Sequence, residues 1–213
     1  MQLEAYLERD DRIVLPLGST EQHAYLSLAT DSILAERVSV EAAEPLGVPV
    51  LPALAYGVTE RFAAFPGSPS LTPGSYTAIL RELIASLRAQ GFRRILLVNG
   101  HGGNVEAAEA ALTPGVRLHS WWAAPRTMAL VREIDPDASH ASWMENFPWT
   151  RLPGVELPGE HKPLAPPTSD DPVEVRQELG DGSFGGWYSR PDSDVLRVWA
   201  AGVEETRAAI AAL

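Results

Sequence analysis

The chain contains no cysteine. Disulfides and thiolate chemistry are thereby excluded, and the redox compartment stays open. Positive charge is scarce: 17 Lys and Arg stand against 28 Asp and Glu, for a net charge of −11. Nucleic acid and anionic membrane both need a basic footprint, so neither is an expected partner. A small anionic substrate held at a metal is still compatible with this balance. No apolar run approaches the ~18 residues of a membrane span. The start, Met1 to Glu8, lacks the basic head and apolar stretch of a signal peptide, so a cytoplasmic protein is expected. The 213 residues suffice for one large domain with a real core, and no composition shift divides them. One domain over 1–213 is expected.

Apolar runs alternate with helical patterns. The pattern predicts strands at about 12–17, 48–54, 94–98 and 116–122, and helices at about 31–45, 73–90, 104–112, 124–133 and 192–212. Tyr76, Leu80, Leu83, Ile84 and Leu87 fall on one helical stripe, and Pro73 sits where a missing N–H costs little. Such alternation implies an α/β fold with a mostly parallel sheet covered on both faces. Two stretches read as long and irregular: Tyr56 to Thr72, and the proline-rich run from Pro148 to about Asp181. Long ordered loops in a compact domain are often functional. A substrate pocket is expected to draw on residues 55–72 and 148–190.

The strongest local signal is Asn99-Gly100-His101-Gly102-Gly103-Asn104, between the apolar run Ile95–Val98 and a helix start. Glycine loses the most backbone entropy on folding, so three in four positions imply a tight bend or a close approach. The carboxyl end of a strand in an open α/β sheet is where such folds place their sites. The dinucleotide fingerprint fails, because the sixth position from Gly100 is Val105, and no Gly-Lys-Ser/Thr is present. His101 is thus a candidate ligand. Its partners follow the first apolar run: Glu21 and His23 lie two apart, on one face if extended, with Asp31 eight residues further on. These four are ligands suited to Zn, Mn or Fe(II), and a carboxylate able to bridge would make a two-metal site. The plainer reading is a capping Glu, a core His and Asp31 as an N-cap.

A third cluster, Ser139 to Phe147, holds His140 and Glu145. They are candidates for proton transfer, with Glu145 also a metal ligand. On a helix a five-residue offset would turn them roughly 140° apart, so serving one site needs a turn or helix start between them. Trp143 lies between the two and is placed near the pocket. His119, in a strand, reads as core, and His161 as exposed.

Taken together, Leu15-Pro16-Leu17-Gly18-Ser19-Thr20-Glu21-Gln22-His23, Thr30-Asp31, Phe65-Pro66-Gly67-Ser68 and the glycine turn at 99–104 resemble the creatininase (creatinine amidohydrolase) family. Order and spacing agree over roughly residues 13–147. The resemblance implies a three-layer α/β/α sandwich and a centre of two divalent ions, Zn, Mn or Fe(II), that hydrolyses a C–N amide bond through water activated by the metal. It implies Glu21, His23, Asp31 and His101 as metal ligands, with Asp31 bridging. His140 then stands near the substrate, with Glu145 five residues beyond it. Ser68 and Trp143 are the substrate-binding candidates. A homohexamer or other homo-oligomer, and a small-molecule amide as substrate, are also implied.

The chain departs from the family pattern in three places. Members usually read Glu-Gln-His-Gly-Pro-His; here Ala24-Tyr25-Leu26 follow His23, with one residue fewer before Asp31. Creatininases proper carry a metal-binding glutamate two residues after the glycine-turn histidine, where this chain has Gly103, so Glu145 is the expected replacement. Trp143 stands where many members have an acid. Creatinine itself is therefore not the expected substrate. Two alternatives stand beside an amidohydrolase of small cyclic or linear amides. One is a deformylase or small-peptide hydrolase on the same centre, which a substrate screen separates. The other is a non-catalytic metal-binding homologue, which predicts one metal or none and no hydrolysis.

Overall fold

Why the chain forms three layers can be read from the alternation of side chains along its strands. The computed structural model describes residues 2–213. A short helix α1 (Gln2–Leu7) leads into β1 (Arg12–Leu17) and α2 (Thr30–Ala43). Then come α3 (Pro73–Ala89), β2 (Arg94–Asn99), α4 (Val105–Glu109), β3 (Val116–Ser120) and α5 (Pro125–Ile134). The strands are parallel, in the order β1-β2-β3. Successive strand residues point to opposite faces. Val14, Leu96 and Val98 therefore meet Leu34 and Val38 of α2 and Val131 of α5. Ile13, Leu15, Leu17, Ile95 and Leu97 meet Tyr6, Tyr76, Leu80 and Ile84 on the other side. The final helix, α7 (Asp192–Ala211), packs on α2 and α5 and adds Val195, Val198 and Trp199 to the first layer. This is the α/β sandwich expected from the sequence. No helix among the described residues is long and apolar enough to cross a membrane.

Four details differ from expectation. Residues 48–54 form no regular strand. They hydrogen-bond along β1, with bridges Val14–Val50 and Leu17–Leu54, but Pro49 and Pro52 have no N–H to give to a ladder. Leu83 is 38% exposed, so the buried stripe of α3 is Tyr76, Leu80, Ile84 and Leu87. The run after Pro148 is not wholly irregular. It holds the two-residue strands β4 (His161–Lys162) and β5 (Gly186–Trp187), which pair antiparallel, and helix α6 (Pro172–Leu179). Asp171 caps α6 by accepting from the N–H groups of Val173 and Glu174. Lastly, α6 buries Val175 and Leu179 against Phe62 and Phe65, which clamps the tail over the 56–72 loop.

Candidate metal centre

The ends of β1 and β2 carry the site. After β1 the chain delivers Glu21 and His23; after β2 it delivers His101; and the first turn of α2, whose N-cap is Ala29, places Asp31 between them. Asp31 is thus no cap. Its carboxylate is buried and turned inward, with Oδ1 3.0 Å from His23 Nε2 and Oδ2 2.9 Å from His101 Nδ1. Ser19 Oγ also donates to Oδ2 at 2.8 Å. The glycine turn permits this approach. A Cβ on Gly100 would lie 2.6 Å from the Asp31 carbonyl oxygen, closer than real contacts allow. Asn104 ties the loops together, donating to the Gly18 carbonyl and accepting from Val58 N–H.

Each imidazole has one nitrogen against a main-chain carbonyl. His23 Nδ1 meets Glu21 O at 3.1 Å, His101 Nε2 meets Val58 O at 2.9 Å, and His140 Nε2 meets Gln22 O at 3.0 Å. Carbonyls only accept, so each of those nitrogens carries the proton. The opposite nitrogens face carboxylates: His23 Nε2 toward Asp31 and Glu145, His101 Nδ1 toward Asp31 and Glu21, and His140 Nδ1 toward Glu21 at 3.6 Å. A lone pair does not rest against a carboxylate without a cation between them. Either protons or metal ions must fill the positions at His23 Nε2 and His101 Nδ1, whereas His140 Nδ1, at 3.6 Å, is beyond hydrogen-bond reach of Glu21.

The titration shifts express the same demand. Burial alone would lower His23, but Asp31, Glu145 and Glu21 outweigh it and raise its pKa to about 10. Burial likewise opposes the charge on His101, yet Glu21 and Asp31 hold its pKa well above the usual value. Asp31 is pulled down by the two imidazoles despite its burial. Burial and the Asp31 charge push Glu145 up to about 7, although His23 and the Ala141 N–H pull the other way. Burial and the neighbouring His23 push His140 down to about 4.

The residues present fit a pair of cations. Glu21, Asp31 and His101 offer ligand atoms that all lie within 4.8 Å of one another, and so do His23, Asp31 and Glu145. Asp31 belongs to both groups. Glu21 Oε2 is buried and has no hydrogen-bond partner, a costly state unless it ligates something. Position 103 cannot supply a ligand. A Cβ there would lie 2.1 Å from Val58 O, the same carbonyl that orients His101.

The structure brings Glu21, Asp31, His101, His140 and Glu145 around one cavity of about 570 Å³, with His23 buried behind them against Asp31 and Glu145. His140 and Glu145 meet because Ala141 adopts a left-handed φ of 58° and a 3-10 turn, Trp143–Glu145, follows. Ala141 N–H donates to Glu145 Oε2 at 2.6 Å and holds it in place. Two expected pocket residues are not in it. Trp143 is fully buried and donates Nε1 to Asp135, because its indole completes the core under the 3-10 turn. Ser68 is buried and accepts from Gln22 N–H, so it braces the loop that carries Glu21 and His23 instead. His161 is not free either; it lies against Trp187 and 3.3 Å from Asp135. His119 is half-buried and bonded to Thr206 Oγ1. The sequence reading missed Phe62, Trp122, Arg132 and Phe184, all of which line the cavity. Phe62 and Phe184 flank His140, each ring centroid 4.9 Å away. Nothing local marks them, since they come from distant loops.

Comparison with known proteins agrees with this geometry. The family described as "Creatininase: Creatinine amidohydrolase" matches residues 1–147. The mycofactocin precursor peptide peptidase of Mycolicibacterium smegmatis is 39% identical over 107 residues, 47% of this chain and 43% of that protein. The creatinine amidohydrolase of Pseudomonas putida is 29% identical over 144 residues, 59% of this chain and 55% of that protein. The matched stretches thus span about half the length of these curated relatives. A crystal structure of creatinine amidohydrolase superposes with a TM-score of 0.80 at 24% identity, covering 99% of this chain and 93% of that one. A manganese form of creatininase gives 0.72 at 22%, covering 99% and 95%. With a family match over residues 1–147 and the same fold throughout, the chain belongs to the creatininase family.

Proposed function

We propose that this protein is a divalent-metal-dependent amidohydrolase that cleaves the C–N bond of a small amide. The observation that carries this reading is the pair of ligand groups sharing Asp31, with the unpartnered Glu21 Oε2 beside them. Glu21, Asp31 and His101 would hold one cation; His23, Asp31 and Glu145 would hold the other, with Glu145 in place of a ligand at 103. Zn, Mn and Fe(II) all suit this donor set. Bound cations supply Lewis-acid polarisation of an amide carbonyl and a water acidic enough to attack near neutral pH.

The chain's own residues do the rest. His140 keeps its proton on Nε2, committed to Gln22 O, and presents the Nδ1 lone pair to the cavity. It would take a proton there from the attacking water and pass it to the leaving nitrogen as the C–N bond breaks. Phe62 and Phe184 pack on that ring and restrict its rotation. Glu145, fixed by the Ala141 N–H, serves as ligand and second proton carrier.

Similarity to a peptidase over 107 residues favours a second reading, a small-peptide hydrolase on the same centre. A deformylase would use the same residues. Creatinine is not the substrate we expect, given the substituted 24–26 segment and Gly103. The implied homo-oligomer is part of the reading and is measured by light scattering. The test is metal content per chain after chelator-free purification, beside Asp31→Ala. Two equivalents, lost in the variant, followed by turnover on an amide panel, support the hydrolase. One equivalent or none after reloading, with no hydrolysis, would leave a non-catalytic metal-binding protein.

A further inference from the structure

The cavity over the centre has a charge that the proposed chemistry does not use. Its walls are mostly apolar, from Phe62, Trp122, Met128, Met144 and Phe184. Two arginines line it as well. Arg61 is neutralised by Asp170. Arg132, in the last turn of α5, has no acidic partner among the described residues. Its Nη1 donates to the Pro136 and Ala138 carbonyls, which pins one corner of the guanidinium. Its Nε and Nη2 donors have no protein acceptor among the described residues. Eight of the sixteen arginines are paired with carboxylates; of the two at this cavity, only Arg132 lacks an ion pair among the described residues. Arg132 is exposed at the rim of a cavity lined also by Glu21, Asp31, Glu145 and Glu60, and none of these acids reaches it, so its open edge is available to an anion entering the cavity.

The free edge of a guanidinium presents two parallel N–H groups that match the two oxygens of one carboxylate. A single arginine balances a single negative charge. A phosphate dianion would leave an uncompensated charge beside four acids. We infer that Arg132 reads a carboxylate on the substrate, so that the amide hydrolysed here carries a carboxylate beyond an apolar or aromatic segment. This inference rests on the amidohydrolase reading. It makes Arg132 a specificity-determining residue.

The test is a binding cycle that needs no turnover. Zinc-loaded full-length wild type and Arg132→Gln are each titrated with 3-phenylpropanoate and with the non-hydrolysable 3-phenylpropan-1-ol by calorimetry. The two probes differ only in the charged group, and comparing the proteins cancels whatever the metal adds to acid binding. Arg132→Gln is expected to weaken the acid at least tenfold and to leave the alcohol within twofold. A role confined to bracing the 136–138 turn would weaken both probes alike. Arg132→Lys, which keeps the charge but not the paired N–H edge, is expected to fall between, and it stands in should the glutamine variant not fold. Equal effects on both probes, no effect, or no binding of the acid by wild type at millimolar concentration would overturn the inference. Selective loss of the acid in a protein that hydrolyses no amide would instead retain the anion site and remove the hydrolase reading.

Discussion

A buried carboxylate placed against two imidazole lone pairs needs cations, and at Asp31 two are needed at once. Replacing Asp31 by Ala removes the group common to both ligand sets. The expected outcome is a fall from two metal equivalents to fewer than one, read by elemental analysis. His140 is different: it lies outside the two groups that share Asp31, although it forms a third close group with Glu21 and His23, and its Nδ1 is 3.6 Å from Glu21. His140→Ala is expected to keep its metal and to lose about 10²–10⁴-fold in turnover, the usual range for a positioned proton carrier. Steady-state rates beside metal content check this, and full turnover in the variant would remove the role. At this scale the sequence was informative: Glu21, His23, Asp31 and His101 are legible from residue type and spacing. Trp143 and Ser68 were not, because adjacency in sequence to a site residue says nothing of where a side chain points.

Two elements hold the site residues in place. The glycine turn lies so close to the 56–58 loop that Gly103→Ala must push Val58 O, and with it the partner of His101. A cost of about 1–3 kcal/mol is expected from such overpacking. It is seen as a lower urea midpoint together with weakened metal binding, and Gly102→Ala, whose Cβ meets only Trp122 at 4.0 Å, is the mild control. The segment carrying His140 and Glu145 hangs on Asp135, which accepts from Trp143 Nε1, Trp187 N–H, Asp137 N–H and the His161 ring. Burial opposes its charge, but these donors outweigh burial and lower its pKa. A lowered folded pKa gives stability that is present above the unfolded value near ~3.9 and is lost as pH falls through the folded one. Asp135→Asn is therefore expected to cost about 1–3 kcal/mol at pH 7 and to flatten the loss of stability below about pH 4. Urea unfolding between pH 3 and pH 7 checks both.

At the scale of the whole molecule, the proposed ligands come from after β1, the start of α2, the end of β2 and the 141–145 turn, so bound metal would tie four parts of the chain together. Zinc at a hundredfold excess over its dissociation constant adds about 2.7 kcal/mol to the folded state. For a chain of this size that is a rise in Tm of roughly 5–10 °C, reversed by chelator. Calorimetry with and without zinc measures it, and no shift would count against a preformed centre. The tail acts at the same scale. Phe184 reaches the cavity only because α6 packs Val175 and Leu179 on Phe62 and Phe65.

The sequence by itself determined the sandwich and named the residues proposed to hold metal. Period-2 and period-3.6 patterns report which faces are buried, and the glycine turn reports a close approach whatever its partner. Only the tertiary structure decided the rest. Pro49 and Pro52 turn an apolar run into an edge without a ladder, which depends on the neighbouring β1. The cavity walls come from residues 58–62, 122–132 and 184, which no spacing relates. The free edge of Arg132 appears only when two carbonyls are seen to hold its other corner. Local patterns encode burial and backbone conformation, whereas a pocket is made of groups that meet across long loops, and that meeting is settled by packing alone.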